Sequence, residues 1–315
     1  RDAKVYTMRQ RYFILMLWLA VWLVSMPSTY AKWVWNKDTG WIDPLTLDRG
    51  VPDQHYKLAI AMMLDNKYES AVKEFRAVLD KYPDSDLAEP CHYNIGQSYF
   101  LAGKYKKAFW AYEQLLERFP GTRMTGLVHK KEFEAGVALM QEDPQDSVEI
   151  FERIIEHNPQ GPLAPDCQVK IADAHFLAED FVSAEEAYRS VLEDYPRSEW
   201  APYSLYRIPL SKLSLELRRE RDLEGLWKAR DGFEEYIANY PDGTLAEEAK
   251  KKIHEVEEII AHREYRIAEF YLRKKEPMSA MVYLQRILKR FPNTRWAEKS
   301  QETMDFLKKI HVVKK

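Results

Sequence analysis

One pattern of hydrophobic and polar positions recurs along most of this chain, and it is easiest to see in residues 68–88. A small residue (Ala71), an aromatic residue (Phe75) and an aliphatic residue (Leu79) follow at intervals of four, and Pro83 comes four residues later. Positions four apart lie on one face of an α-helix, and a proline cannot continue the helix. The pattern occurs six times, ending at Pro83, Pro120, Pro159, Pro196, Pro241 and Pro292. This recurrence indicates a repeat protein built from helices.

The positions before these prolines keep their chemical character in the six copies. Twelve residues before the proline stand Ala71, Ala108, Ser147, Ala184, Ala229 and Ala280. Eight before it stand Phe75, Tyr112, Phe151, Tyr188, Phe233 and Leu284, and four before it stand Leu79, Leu116, Ile155, Leu192, Ile237 and Leu288. The small residue lets the next helix come close, and the other two form an apolar stripe. We therefore expect helix pairs that stack around a continuous core, in an all-α superhelix.

Residues that cap helices follow the prolines. Two residues after each proline stand Ser85, Thr122, Gly161, Ser198, Gly243 and Thr294. A Ser or Thr side chain here can accept a hydrogen bond from a free N–H group of the next helix, so we expect it to be the N-cap. Thr244 and Glu247 also have the spacing of a capping box.

Two parts of the chain depart from the regular repeat. Successive prolines are 37, 39, 37, 45 and 51 residues apart, so the last two intervals contain insertions. The charged residues 218–222 predict a loop inserted between paired helices. Residues 244–272 contain neither Pro nor Gly, which predicts one long helix. Residues 295–310 predict a single helix that caps the stack.

The N-terminal segment has the features of a secretory signal peptide. Arg9 and Arg11 precede an apolar run at residues 12–24, and small residues precede a cleavage position after Ala31. An uncleaved membrane anchor is the alternative, but a span needs about 20 apolar residues. We therefore expect residues 1–31 to comprise upstream sequence and a signal peptide, and the mature chain to be exported.

A tryptophan-rich arm follows at residues 32–52. Trp33, Trp35 and Trp41 flank a turn-prone run at residues 36–40, which favours a short hairpin. One interpretation is that the tryptophans cover the open end of the first helix pair; the other is that the arm docks a partner or the membrane interface. After it we expect a solenoid of about six helix pairs plus a capping helix at residues 53–310, and a basic tail at residues 311–315.

The composition and the placement of cysteine, histidine and glycine argue against several classes of function. The chain has 47 basic and 50 acidic residues and no basic block, which argues against nucleic-acid binding. Eight residues after successive prolines stand Cys91, Val128, Cys167, Ser204, Ala249 and Ser300, so the cysteines occupy a small packing slot two repeats apart, too far for a disulfide. The eight histidines show no metal-ligand spacing, and with only 11 glycines there is no phosphate-binding loop. We expect a binding protein without catalytic site, metal or cofactor.

Polar or cationic residues recur at one position of successive first helices. Eleven residues after the first five prolines stand Asn94, Lys131, Lys170, Arg207 and Lys252, and Lys57 has the equivalent position in the first repeat. Counted from the second helix, the last repeat offers Arg266 instead of Lys252. We predict peptide binding by Lys57, Tyr93, Asn94, Gln97, Lys131 and Lys170, and partner docking by Arg207, Arg266 and the three arm tryptophans. The alternative is a solvated helix face.

The repeat resembles the tetratricopeptide repeat. Ile95-Gly96 with Tyr99, and then Ala108, Tyr112 and Pro120, are similar to its consensus. The resemblance implies a right-handed superhelix of helix pairs. In peptide-binding members a carboxylate clamp uses Asn and Lys or Arg, and Asn94 and Lys131 fall on two of its places. The other places hold Tyr56, Ile60 and Leu127, so the clamp is incomplete.

The C-terminal part permits a narrower comparison. Residues 263–300 (REYRIAEFYLRKKEPMSAMVYLQRILKRFPNTRWAEKS) resemble the final repeat of the BamD family of outer-membrane protein assembly factors. Residues 231–265 resemble the segment before it, and the insertion at residues 218–222 falls where that family has one. The resemblance implies a periplasmic scaffold whose N-terminal half receives unfolded outer-membrane proteins. Its C-terminal half would dock the periplasmic domains of the β-barrel insertase.

One departure from that family concerns the membrane anchor. The family normally has a lipid-bearing Cys directly after the signal peptide, whereas here Lys32 follows Ala31 and the first cysteine is Cys91. We therefore expect a non-lipidated member in the periplasm, held peripherally at the outer membrane by its partners. The alternative is a soluble periplasmic repeat adaptor for cell-envelope or division machinery.

Overall fold

The computed structural model describes residues 34–36, 40–42, 52–219 and 223–309 of the chain. It divides into two compact units, residues 1–98 and 99–315. The expected signal peptide at residues 1–31 and the basic tail at residues 311–315 lie outside the described residues.

The described residues form thirteen helices and one two-stranded sheet. The strands are β1 (Val34–Asn36) and β2 (Gly40–Ile42). The helices are α1 (Pro52–Leu64), α2 (Tyr68–Lys81), α3 (Ala88–Leu101), α4 (Tyr105–Arg118), α5 (Thr125–Met140), α6 (Pro144–His157), α7 (Ala164–Leu177), α8 (Phe181–Asp194), α9 (Ala201–Arg219), α10 (Leu223–Asn239), α11 (Ala246–Arg273), α12 (Pro277–Arg290) and α13 (Arg295–Lys309). The predicted helix pairs are confirmed. None of the helices in the described ranges has the length and apolar character that crossing a membrane requires.

The arm contains the hairpin that its turn-prone residues favour. β1 and β2 are antiparallel, with Trp35 opposite Trp41 and Asn36 opposite Gly40, and β1 lies beside α1. Trp33 and the side chains of the hairpin lie outside the described parts of the structure. Both interpretations of the arm therefore stay predictions.

The second helices of the pairs bury the stripe that the repeat predicts, with one shift in register. All twelve residues that stand twelve and eight positions before the prolines are 0% exposed. The third buried position, however, is five residues before the proline and not four: Val78, Leu115, Ile154, Val191, Tyr236 and Ile287 are buried, whereas the aliphatic residues that follow them are only partly buried. Since a helical turn has 3.6 residues, steps of four and three follow the buried face better than two steps of four.

The packing slot of the first helices is confirmed. Its six residues, Cys91, Val128, Cys167, Ser204, Ala249 and Ser300, are all 0% exposed, and both thiols are free. Burial raises the pKa of the Cys91 thiol to about 12, so it stays protonated at neutral pH.

Most of the expected N-caps are turns that precede the helix. Oγ of Ser85 accepts from the N–H of Leu87 (3.2 Å) two residues on, and Thr122 makes the equivalent contact, before helices that begin three residues later. Thr294 does cap α13 directly, since its Oγ1 accepts from the N–H of Ala297 (3.2 Å). The capping box of Thr244 and Glu247 is wrong, because α11 begins at Ala246 and its N-cap residue makes no side-chain cap bond. After Ser85 and Thr122, two more turn residues precede the helix, so these side chains stand too early in the chain to be its N-cap.

The insertions lengthen helices. α9 continues to Arg219, so Arg218 and Arg219 of the predicted loop are helical, and residues 220–222 lie outside the described residues. The long helix is confirmed as α11, with 28 residues, and the last segment is the single helix α13. α9 and α10 pack closely where Pro209 faces Gly232, since a Cβ on that glycine would lie 2.8 Å from the proline Cβ.

Candidate partner-binding site

Most predicted first-helix cations form ion pairs along their own helices. Each pairs with a carboxylate one turn away: Lys57–Asp53 (2.6 Å), Lys131–Glu134 (2.6 Å), Lys170–Asp173 (3.0 Å) and Lys252–Glu255 (2.8 Å). The three later lysine side chains are about a quarter exposed. They form a recurring surface feature, but one whose charge is already neutralised.

The other predicted peptide-binding side chains of residues 1–98 also have partners. The Asn94 amide donates to the Tyr56 hydroxyl at 3.0 Å and to the Pro90 carbonyl at 2.9 Å. The Gln97 amide donates to the Tyr93 hydroxyl at 3.0 Å. A peptide ligand would have to compete with these bonds.

Arg207 belongs to an internal network and not to an open surface. Its guanidinium lies 3.9 Å from the centre of the Phe176 ring, and its Nε donates to the Tyr188 hydroxyl at 2.8 Å. The hydroxyls of Tyr188 and Tyr203 in turn donate to Asp173, at 2.6 and 2.9 Å. Burial, followed by the Asp173 charge, raises the pKa of Tyr203 to about 12. The network joins α7, α8 and α9 and holds Arg207 in place.

Arg266 has a different setting, in a pocket of about 330 Å³. The pocket is lined by Leu217 of α9, by Glu258, Ile259, His262, Arg263 and Arg266 of α11, and by Arg295 of α13. Three arginines thus face one glutamate. Arg266 is exposed and has no ion-pair partner among the residues that the structure describes. We call this the arginine pocket.

The wall of the arginine pocket combines an aromatic stack, an ion pair and positive charge. The His262 ring stacks on Trp296, with ring centres 4.2 Å apart and planes 13° from parallel. Arg295 is fixed by Glu258, which accepts from its backbone N–H (2.7 Å) and lies 3.2 Å from its Nε. Burial lowers the pKa of His262, and the charges of Arg266 and Arg295 lower it further. The imidazole therefore stays neutral while the arginines present their charge, which suits a carboxylate or another anion.

The sequence pointed to Arg266 but not to the rest of the arginine pocket. Arg266 follows Arg263 by three residues and His262 by four, so it is a helix-face neighbour of both, and this spacing was the available signal. Arg295 joins them only through the packing of α13 against α11. Its part in the pocket could not be read from local sequence.

Comparison with known families identifies the chain. The sequence model of the YfiO family, described as an outer membrane lipoprotein, matches residues 129–310, which is 182 of the 315 residues and includes the whole arginine pocket. The chain belongs to the YfiO family. Tetratricopeptide-repeat models match residues 55–85 and 91–122.

Curated relatives agree with the YfiO assignment and with the BamD resemblance. The BamD outer membrane protein assembly factor of Rickettsia prowazekii is 24% identical over 163 residues, which cover 51% of this chain and 65% of the relative. That of Vibrio cholerae is 24% identical over 179 residues (54% and 74%). That of Xylella fastidiosa strain Temecula1 is 26% identical over 155 residues (46% and 53%). The match thus spans less than two thirds of the Rickettsia and Xylella relatives.

Solved tetratricopeptide-repeat structures are similar only in part. The C-terminal part of a repeat protein of Cytophaga hutchinsonii has a TM-score of 0.39 and 16% identity, over 79% of this chain and 87% of that chain. YrrB, described as having an unusual peptide-binding site, has a TM-score of 0.37 and 18% identity, over 65% and 94%. Both TM-scores lie below 0.5, so these structures add nothing to the functional assignment of this YfiO-family chain.

Proposed function

We propose that the chain is a periplasmic scaffold of outer-membrane β-barrel protein assembly. It acts without catalysis, by binding unfolded outer-membrane proteins and the periplasmic domains of the barrel insertase, and its partners hold it at the outer membrane. The observation that carries the proposal is the arginine pocket, which lies within the part of the chain that matches the YfiO family. The role named for the curated relatives supports the same assignment.

The arginine pocket is the surface that we assign to the insertase. Arg295 pairs with Glu258, the carboxylate that lines the pocket, and Arg266 has no ion-pair partner among the described residues. Arginine binds a carboxylate through two parallel N–H donors, and it is enriched among the residues that dominate interface energies. An acidic side chain of the partner would therefore enter the pocket, beside the apolar side chains of Leu217 and Ile259.

The first-helix lysines are the surface that we assign to unfolded substrate. Lys131 and Lys170 are paired with Glu134 and Asp173 on their own helices. Such pairs contribute only about 0.2–0.5 kcal/mol, so a passing chain can displace the carboxylate at little cost. The expected contact is weak, exchangeable and tolerant of sequence, as a scaffold for many substrates requires.

Charge reversal tests the insertase assignment. Arg266→Glu should abolish co-purification of the barrel insertase from an envelope extract, because it places an anion where the partner's anion binds. Lys252→Glu on the same helix is the matched control, since Lys252 lies outside the pocket, and it should retain the insertase. Equal recovery with both variants would contradict the docking site. Recovery of peptidoglycan or division enzymes without the insertase, from the unaltered chain, would favour the envelope-adaptor alternative.

A second experiment addresses substrate. Changing Lys57, Asn94 and Lys131 to Ala should weaken binding of unfolded β-barrel peptides in a fluorescence titration while leaving insertase binding intact. Unchanged peptide affinity would mean that these residues form a solvated helix face and do not bind substrate.

A further inference from the structure

Two glutamates are buried in the unit of residues 99–315, away from the arginine pocket. Glu113 of α4 is 2% exposed, and Glu132 of α5 is 0% exposed. Glutamate is almost never buried to this degree unless it is paired, because the charged form loses its hydration. The partners here are Arg153, whose Nε lies 3.3 Å from Glu113, and His129, whose Nδ1 lies 2.9 Å from Glu132. His157 completes the set, with Nδ1 3.5 Å from Glu113, and we call these five side chains the buried acid cluster.

The two carboxyl groups lie close enough to affect each other's pKa. Each also retains one buried oxygen, Oε1, that accepts no hydrogen bond from the described residues. The Oε1 of Glu113 is the oxygen that lies 3.5 Å from His157 Nδ1, without the geometry of a hydrogen bond. Two ionised carboxylates cannot satisfy each other, because both only accept. A single proton turns one of them into a donor and so provides the missing bond.

The charge of the buried acid cluster leads to the same conclusion. The two carboxylates outnumber the permanently charged Arg153 guanidinium, the one arginine of the cluster, by one negative charge. Burial raises the pKa of Glu113 and of Glu132, and in the second case the neighbouring Glu113 charge raises it further. One bound proton makes the cluster neutral.

Acidic groups predominate around the cluster, and Lys130 and Glu134 also line the adjoining cleft. The charged or titratable groups around it are Glu117 of α4, Glu156 of α6, which shares Arg153 at 3.1 Å, and Asp166 and Cys167 of α7. No three His, Cys, Asp or Glu side chains in the described parts of the chain are arranged to hold a metal ion. The proton is therefore the ligand that the geometry requires.

The cluster has a route to solvent. The rings of His129 and His157 lie 5.6 Å apart and line a cleft of about 680 Å³ formed by α5, α6 and the start of α7. Both imidazoles thus contact a buried carboxylate on one side and the cleft on the other. Histidine exchanges protons near neutral pH, so the pair can connect the interior to the cleft.

We propose that Glu113 and Glu132 bind one proton between them, exchanged through His129 and His157, and that this proton makes the α4–α6 packing pH-sensitive. Because the folded protein holds the proton more tightly than the unfolded chain, the stabilisation is fully present below the ordinary carboxyl pKa of 4.5. It is lost as the pH rises through the raised pKa. Loss of the proton leaves an unpaired anion beside the cleft, so the cleft wall loosens as the pH increases.

Carbon-13 NMR of the glutamate side chains in the unaltered chain tests the proton directly. The Cδ signals of Glu113 and Glu132 should titrate together and above the range of the exposed glutamates. Two independent titrations in the ordinary range would overturn the proposal. This experiment needs no substitution, so it stands even where a variant fails to fold.

Thermal unfolding tests the consequence. Glu132→Gln replaces the shared proton by a permanent amide donor, so the Tm of the unaltered chain should fall relative to the variant as the pH rises from about 5 to 8. Glu152→Gln, which removes an exposed carboxylate of α6, is the control and should keep a constant difference from the unaltered chain. A constant difference for Glu132→Gln as well would contradict a role of the proton in stability.

Discussion

The regular and extended parts of residues 99–315 use the same core positions of the repeat in different ways. The regular part, α4–α8, has second helices of 14 residues and one hydrophobic cluster, to which α9 contributes Ile208. In the extended part, α9–α13, helices of 19, 17 and 28 residues surround a second cluster, to which α9 contributes Tyr206 and Leu213. α9 therefore belongs to both cores. The insertions add helical turns to a repeat unit whose core positions are unchanged.

What the added turns change is the charge that the surface presents. Lys252 stands at the repeat position of α11 and is paired with Glu255, as the lysines of the regular part are paired. Arg266 stands fourteen residues later, in turns that a regular first helix does not have, and it faces the arginine pocket. Repeat positions thus supply packing and local ion pairs, whereas the extra length supplies Arg266, which has no ion-pair partner among the described residues.

The largest expected effect on stability comes from truncating the aromatic residue at the same core position of the repeat in both parts. Phe151 packs on Phe133 with ring centres 5.6 Å apart, and Phe233 packs on Tyr206 at 5.5 Å; both phenylalanines are 0% exposed. Phe151→Ala and Phe233→Ala should each lower the free energy of unfolding by about 3–5 kcal/mol, since each removes a fully buried ring. Urea unfolding followed by circular dichroism measures both.

Phe306→Ala is the control for these substitutions. Phe306 is 61% exposed on α13, so its loss should change the free energy of unfolding by about 0.5 kcal/mol or less. If Phe233→Ala lowered the free energy of unfolding no more than this control, the extended part would not depend on this repeat position as the regular part does.

The next largest effect on stability is expected at the network of Asp173 and Arg207, where the regular part meets α9 of the extended part. Tyr188→Phe removes a hydroxyl that donates to Asp173 and accepts from Arg207, whereas Tyr203→Phe removes a single donor to Asp173. We expect a loss of about 1–3 kcal/mol for Tyr188→Phe, because it leaves a buried Arg207 donor unpaired. The loss for Tyr203→Phe should be smaller. The reverse order, measured by the same unfolding assay, would mean that Arg207 does not depend on Tyr188.

Helix caps allow a comparison at a smaller scale, between α8 of the regular part and α12 of the extended part. The Asp180 side chain caps α8 by accepting from the Ser183 N–H at 3.2 Å, whereas the Glu276 side chain at the start of α12 makes no cap bond. Asp180→Ala should therefore cost about 0.5–2 kcal/mol and Glu276→Ala clearly less. Equal losses would show that the Asp180 cap bond contributes little.

The Asp180 cap also has a predictable pH dependence. Hydrogen bonds from Ser183 lower the pKa of Asp180, so its stabilisation is present above the ordinary value of 3.8 and is lost as the pH falls through the lowered value. The difference in Tm between the unaltered chain and Asp180→Ala should shrink below about pH 4. A difference that stayed constant down to pH 2 would contradict this.

More of the fold than of the candidate sites could be predicted from the sequence. Positions such as Ala184 and Tyr188, and the length of α11, follow from local periodicity, which 3.6 residues per turn and the absence of Pro and Gly determine. The buried acid cluster could not be found in this way, because Arg153 and Glu113 are 40 residues apart and each lies on an ordinary amphipathic helix. Only packing brings them together. The same holds for Arg295 in the arginine pocket.

The smallest expected effects on stability come from removing one surface cation of the regular part, Lys131, and one of the extended part, Arg266. Lys131→Ala breaks an exposed pair with Glu134, which should cost about 0.5 kcal/mol or less and fall further in high salt. Arg266→Ala breaks no ion pair and relieves repulsion from Arg263 and Arg295, so unfolding should be unchanged or slightly harder. Insertase binding should respond in the opposite order, with Arg266→Ala losing affinity and Lys131→Ala retaining it. A cation that lowers stability slightly and raises affinity is one kept for a partner; if Arg266→Ala instead destabilised the fold and left binding intact, the arginine pocket would be part of the structure and not of the interface.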